Sequence, residues 1–143
     1  MFSEIGVNFV KKIAELLQTR SEINVINDQY GRPTYAGFIS SITYKLIDHF
    51  KDKKCSEIIN LVQRETTSWY DFANKIKENL LPLNHKLANI IPVPSREFKT
   101  KAERPKNSVL SIKKLERMLP NSGLNWENSL ADVINKLYYS KNL

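Results

Sequence analysis

The sequence predicts an α/β fold, with helices joined by a few short strands. Three observations predict it. Apolar residues recur at helical spacing in five segments, and short apolar runs bounded by turn residues fall between them. The strand-like runs are also too few for a complete parallel sheet, which normally buries near-continuous apolar strands between two helix layers. The chain therefore reads as one unit that expects another sheet beside it.

Taken in order, Phe9, Val10, Ile13, Leu16 and Leu17 mark a first helix, with Lys11, Lys12 and Glu15 on its polar face. Ile23 to Ile26 reads as a strand ended by a polar turn. Phe38, Ile39, Ile42, Leu46, Ile47 and Phe50 make a second helix, closed by the charge cluster KDKK. IINLV at 58–62 reads as a second strand. Thr67 and Ser68 offer N-caps, Asp71 lies three residues after Ser68, and Trp69, Phe72, Ala73, Ile76 and Leu80 continue as a helix. NIIPVPS is extended, and its prolines, Pro92 and Pro94, confine it to a sheet edge or a loop. SIKKLERML forms a short helix that Ser111 can cap. NWENSLADVINKLYY forms the last helix, with Trp126, Leu130, Val133, Ile134 and Leu137 facing inward.

Composition narrows the function classes. The 143 residues, 41% hydrophobic and 26% charged, suit a single folded domain. No stretch is long and apolar enough to be a transmembrane helix, and MFSEIGVNFV lacks the pattern of a secretory signal. One cysteine, Cys55, excludes an intrachain disulfide, so the cytoplasm is the expected compartment. Twenty-two Lys and Arg face fifteen Asp and Glu, a net charge of +7. The excess at 51–54 and 96–117 makes either a solvated basic face or a site for an anionic ligand. Nucleic acid is not expected, because acids interleave the basic residues and no DNA- or RNA-binding motif occurs.

Several absences bear on chemistry. The four glycines form neither a GxGxxG nor a P-loop spacing, so no dinucleotide cradle is present and no cofactor is expected in this chain. No tyrosine is followed four residues later by lysine. His49 and His85 stand apart and without clustered ligands, which leaves no metal site and no catalytic residue to assign. Two constellations remain. NDQYGRPTYA is a turn made rigid by Gly31 and Pro33 at a strand end, a common location for ligand groups in α/β folds. Alternatively, Asn27 and Asp28 satisfy the turn's own backbone there. In TKAERPKNSVL, Arg104 precedes Pro105 in an extended conformation and carries a fork suited to a diphosphate, or it is a loop arginine on solvent.

Together these segments resemble dTDP-4-dehydrorhamnose reductases, members of the extended short-chain dehydrogenase/reductase family. FSEIGVNFVKKI is similar to the family's Gly-x-Asn-Phe segment, and INVINDQYGRPTYA to its Val-x-Asp-Gln-x-Gly-x-Pro-Thr signature. TTSWYDFANKI matches its Thr/Ser-Trp-x-x-(Phe/Tyr)-Ala helix start. FKTKAERPKNSVLSIKKLE matches its Thr-x-Ala-x-Arg-Pro-x-Asn-Ser-x-Leu segment, and NWENSL its closing tryptophan helix. The motifs keep the family's order from residue 2 to about 137. Two departures stand out: Phe38 follows the Pro-Thr-Tyr-Ala stretch where an acid is usual, and Ile59-Asn60 replace a Tyr-His pair.

The resemblance implies that residues 1–143 are the C-terminal, sugar-nucleotide-binding half, without the Rossmann half that holds NADPH and the Tyr-x-x-x-Lys pair. In the family, NADPH delivers hydride to C4 of dTDP-4-dehydro-L-rhamnose. It further implies a substrate wall built from Asn8, Phe9, Gln29, Arg32, Thr34 and Arg104, of which Arg32 occupies a variable position of the signature. The expected ligand is a dTDP-sugar nucleotide, held weakly or not at all. Expected protein partners are a separate Rossmann-half chain or a second copy. The alternative expectation is a non-enzymatic, reductase-like regulatory or interaction subunit.

Overall fold

In the computed structural model, which describes residues 1–54, 56–83, 86–98, 102–120, 122 and 125–139 (Tyr139 by its backbone alone), all five helical spacings become helices. They are α1 (Phe9–Thr19), α2 (Ala36–Phe50), α3 (Trp69–Leu80), α4 (Lys113–Met118) and α5 (Trp126–Ile134). The strands are β1 (Glu22–Ile26), β2 (Tyr30–Gly31), β3 (Thr67–Ser68) and β4 (Asn89–Val93). Cys55 and His85 lie outside the described residues. Among those described, no helix is long and apolar enough to cross a membrane.

Local chemistry sets the helix starts. The Asn8 side chain accepts the Lys11 N–H at 3.3 Å, and Ser68 Oγ accepts the Asp71 N–H at 3.0 Å. Each bond satisfies a donor that the first turn of a helix otherwise leaves orphaned. Ser111 plays a looser part: α4 begins at Lys113, whose N–H reaches Ser111 Oγ at 3.4 Å. The last helix keeps α geometry only to Ile134 and then widens into a π turn over Asn135–Tyr139.

The main core joins α1, α3 and α5 to β1 through Val10, Ile13, Leu17, Ile23, Val25, Ile76, Leu130 and Val133. Phe72 sits among three other aromatic rings. Its ring stacks on Phe9 at 5.4 Å, tilts against Phe2 at 5.8 Å and meets Trp126 edge-on at 5.1 Å. Burial on this scale makes truncation of such a ring cost about 3–5 kcal/mol. A second, smaller cluster packs Phe38, Ile42 and Leu46 of α2 against Leu115 of α4, with Ile59 and Leu61 at its margin. Tyr35 touches both clusters and joins them.

Residues 58–62 are not a strand. Their alternation is real, since Ile59 and Leu61 turn toward α2 while Ile58 is exposed. Side chains replace the ladder partner: Lys114 donates to the Ile58 carbonyl at 2.9 Å, and Asn60 Nδ2 donates to the Ser111 carbonyl at 3.1 Å. Arg64 adds an ion pair to Glu116 at 2.9 Å. That pair is half-exposed and worth at most about 1 kcal/mol, so it places the segment more than it stabilises it.

The strands form two small sheets. β1 and β4 run parallel, from Glu22 opposite Asn89 to Ile26 opposite Val93. β2 and β3 are antiparallel, with Tyr30 opposite Ser68 and Gly31 opposite Thr67. The Asn89 N–H donates to the Ser21 carbonyl and the Asn27 N–H to the Val93 carbonyl, so the odd-numbered residues of β1 face β4. Backbone groups alternate sides along a strand, which turns those of Glu22, Asn24 and Ile26 toward the opposite edge. On the far edge of β4, Pro92 has no N–H to offer. The proline strand thus lies at a sheet edge, as its composition predicts.

A polar knot fastens the N-terminus to the C-terminal π turn. Tyr35 Oη donates to Glu4 Oε1 at 3.0 Å, and Lys136 Nζ donates to the same oxygen at 3.2 Å while lying 5.8 Å from the Tyr35 ring centroid. A backbone hydrogen bond of its own lowers the Glu4 carboxyl pKa, and the Tyr35 and Lys136 bonds add to this against partial burial. The Lys136 ammonium is correspondingly raised, first by its bond to Glu4 and then by Tyr35.

Candidate functional site: a cavity between the two clusters

A cavity of about 300 Å³ lies where the two apolar clusters meet. Met1 and Phe2, Phe9 of α1, the turn Gly31–Thr34, Ile39 of α2, Leu61 and Val62 form much of its wall. Thr67 and Ser68 of β3, Trp69 and Phe72 of α3, and Ser108 and Leu110 complete it. Its surface is chiefly apolar and aromatic, the usual character of a small-molecule site.

The turn at the end of β1 owes its shape to distant partners. Asp28 accepts two bonds from Ser95, one from its N–H at 2.8 Å and one from its hydroxyl at 3.0 Å. Partial burial works against ionisation of Asp28, but the two Ser95 bonds, helped by the charge of Lys106, leave its carboxyl below the usual aspartate value. Asp28 thus ties the turn to the segment after β4. Gly31 lets the next layer approach: a Cβ there would lie 3.0 Å from Ser108 Oγ. Ser108 in turn donates its N–H and its hydroxyl to the Tyr30 carbonyl, both at 2.9 Å, and Lys106 accepts the Tyr30 N–H at 2.8 Å.

Of the six residues expected in a substrate wall, Phe9, Arg32 and Thr34 line the cavity. Asn8, Gln29 and Arg104 are not in its lining. Asn8 is occupied with capping α1 and with the Ser3 carbonyl, to which it donates at 2.8 Å. Gln29 is buried beneath the turn, its carbonyl accepting the Trp69 N–H at 3.3 Å. Arg104 is exposed, two residues before the Lys106 carbonyl that anchors its segment to β2.

Arg32 stands out electrostatically. Its Nε and Nη1 are shut off from solvent without a hydrogen-bond partner among the described residues. A buried cationic donor without an acceptor is costly and calls for an anionic or carbonyl ligand.

Gln63 escaped the reading of the sequence. It is wholly buried and hydrogen-bonds across three elements: Oε1 accepts the Tyr35 N–H, Nε2 donates to Ser129 Oγ, and its backbone N–H reaches Thr34 Oγ1 at 3.4 Å. Only its polarity within an apolar run could have drawn attention to it. Among the described residues, no group of three or more His, Cys, Asp or Glu is placed to hold a metal ion.

Comparison with known proteins agrees with this architecture. The family model described as RmlD substrate binding domain matches residues 1–139. The chain is 32% identical over 136 residues to the dTDP-4-dehydrorhamnose reductase of Escherichia coli, covering 93% of this chain and 45% of that protein. Among solved structures, it is similar to a dTDP-4-dehydrorhamnose reductase ortholog from Clostridium acetobutylicum, with a TM-score of 0.80 and 32% identity over 92% of this chain and 44% of that one. A Bacillus anthracis dTDP-4-dehydrorhamnose reductase, solved in complex with NADP, gives a TM-score of 0.76 and 30% identity over 94% of this chain and 45% of that one. The chain thus spans a little under half the length of these relatives. With the match running from residue 1 to residue 139, this chain belongs to the RmlD substrate binding domain family.

Proposed function

We propose that the chain is the sugar-nucleotide-binding half of a dTDP-4-dehydrorhamnose reductase, acting in the cytoplasm on a dTDP-sugar. The observation that carries this reading is that Arg32 Nε and Nη1, in the wall of an aromatic cavity, are shut off from solvent with no hydrogen-bond partner among the described residues. A nucleoside diphosphate supplies the acceptor that the guanidinium lacks, through the charge-assisted bonds arginine makes with phosphate. Phe9 and Arg32 would touch the ligand. Asn8 and Thr34 would hold the surfaces that present it, Gln29 would support the turn from beneath, and Arg104 would reach the diphosphate from its exposed segment.

The residues present do not fit NADPH. They include no glycine-rich loop and no Tyr-x-x-x-Lys pair. Hydride and proton transfer would therefore belong to a Rossmann half, and this half would bind and orient the sugar nucleotide. The open edge of β1 is the natural seam, because Glu22, Asn24 and Ile26 offer ladder groups there while Pro92 blunts the far edge of β4.

Calorimetry with dTDP tests the binding role, and a titration without heat would remove it. The 143 residues mixed with NADPH and dTDP-4-dehydro-L-rhamnose should leave NADPH unoxidised. Measurable turnover would overturn the division of labour.

A further inference from the structure

Met1 and Phe2 close one side of the cavity. The chain that follows them, up to the cap of α1, is a strap with little packing of its own. Ile5 is 80% exposed and Val7 97%, and between them Gly6 turns the backbone at a φ of +70°. Segments with few buried contacts open at low cost, so closure of the cavity depends on how this strap is tied.

The ties converge on Tyr35. Phe2 donates its N–H to the Thr34 carbonyl and accepts the Ala36 N–H, both at 2.9 Å, which brackets Tyr35 through the backbone. The Phe2 and Tyr35 rings lie 5.9 Å apart. Two residues along the strap, the Glu4 carboxylate accepts the Tyr35 hydroxyl and the Lys136 ammonium on one oxygen. The strap's remaining side-chain ties are local ones: Asn8 Nδ2 donates to the Ser3 carbonyl at 2.8 Å, and Lys11 Nζ to the Glu4 carbonyl at 3.4 Å. Glu4 therefore joins the strap to a distant element, and that element is the π turn after α5.

The position of Lys136 depends on that turn. Its neighbours Leu137 and Tyr138 pack against the main core, so the seating of the turn sets where the ammonium stands. An exposed ion pair alone contributes little. Here one carboxylate oxygen takes two charge-assisted bonds, and the ammonium also lies 5.8 Å from the centroid of the ring that carries the hydroxyl. The three groups hold one another in place.

We propose that Glu4, Tyr35 and Lys136 form a latch that keeps residues 1–8 closed over the cavity, set by the seating of the π turn. None of the three lines the cavity, so they are positioning residues. Opening frees Glu4, lifts Met1 and Phe2 from the wall and widens the mouth. The latch rests on the sugar-nucleotide reading only for its purpose, control of access to that site.

Amide exchange without ligand tests it in the whole chain. In Glu4→Gln and in Lys136→Met, the Phe2 and Ala36 amides should exchange roughly three- to tenfold faster while those of α3 keep their rate. Acrylamide should also quench tryptophan emission more strongly, because Trp69 is 38% exposed on the cavity wall and Trp126, 3% exposed, is sheltered in the core. Glu4→Lys combined with Lys136→Glu should exchange more slowly at Phe2 than either reversal alone. Unchanged Phe2 exchange in both neutral variants would overturn the latch. So would equal acceleration in α3, which marks general destabilisation, or a double reversal no slower than its singles. A calorimetric titration without heat from dTDP would strike the sugar-nucleotide reading and leave these rates untouched.

Discussion

Gln63 Oε1 accepts the Tyr35 N–H at 2.8 Å, binding a buried side chain to the first residue after the cavity turn. The same amide donates to Ser129 Oγ at 2.9 Å, so one side chain spans the turn and α5. Gln63→Leu keeps much of the volume but strips both neighbours of their partner. Leaving buried polar groups unpaired costs about 1–3 kcal/mol each, and urea unfolding should show a loss of roughly 2–4 kcal/mol. Ser129→Ala should cost clearly less. Equal losses in the two variants would mean that the Tyr35 bond adds nothing.

Gly37 is a matter of space. A Cβ there would fall 2.3 Å from Tyr35 Cε1 and 2.9 Å from its hydroxyl. Alanine ordinarily gains nearly 1 kcal/mol over glycine inside a helix, yet Gly37→Ala should lower stability by displacing the Tyr35 ring from Glu4 and Lys136. In the Tyr35→Ala background the sign should reverse, because the obstruction is gone. A stabilising Gly37→Ala in the wild-type chain would remove the contact from consideration.

Glu65 has a φ of +66°, in the left-handed region that costs an ordinary residue about 1–2 kcal/mol. Glu65→Gly relieves that strain and loses some of the gain to unfolded-state entropy. The midpoint of denaturation should rise, by about 0.5–1 kcal/mol in free energy. A fall would show that the Glu65 side chain contributes more than its backbone costs.

Asp28 should shape the acid limb of stability. Its carboxyl has a lowered pKa in the folded chain. Such a group contributes stability that is fully present above the unfolded aspartate pKa, near 3.9, and is lost as pH falls through the lower folded value. Ser95→Ala removes a hydroxyl donor that keeps Asp28 ionised, and should flatten the decline in stability below about pH 4. An acid limb identical to that of the wild type would dissociate Asp28 from it.

How much of this was legible in the sequence follows from the range of the forces involved. The start of α3 was legible because Ser68 acts on a residue three positions away. Pro92 marked an edge because the property is its own. The 58–62 run showed a true alternation, but a strand needs a ladder partner, and Asn60 and Lys114 supplied side-chain bonds instead. Gln63 was invisible because its partners lie 28 and 66 residues away. The two arginines diverged for the same reason. Arg32 and Arg104 look alike as loop cations beside prolines, and the packing of α2, α3 and the 108–110 segment alone puts Arg32 in the cavity wall.

The asymmetry of the parallel pair also limits how copies of this sheet can meet. Growth by strand addition needs two competent edges on each molecule, one to donate and one to receive. Here Pro92 interrupts one of them, so edge pairing is confined to β1. Two copies joined β1 to β1 would be related by a twofold axis, and each would use up the edge of the other. Such a contact closes upon itself and cannot propagate into a fibre.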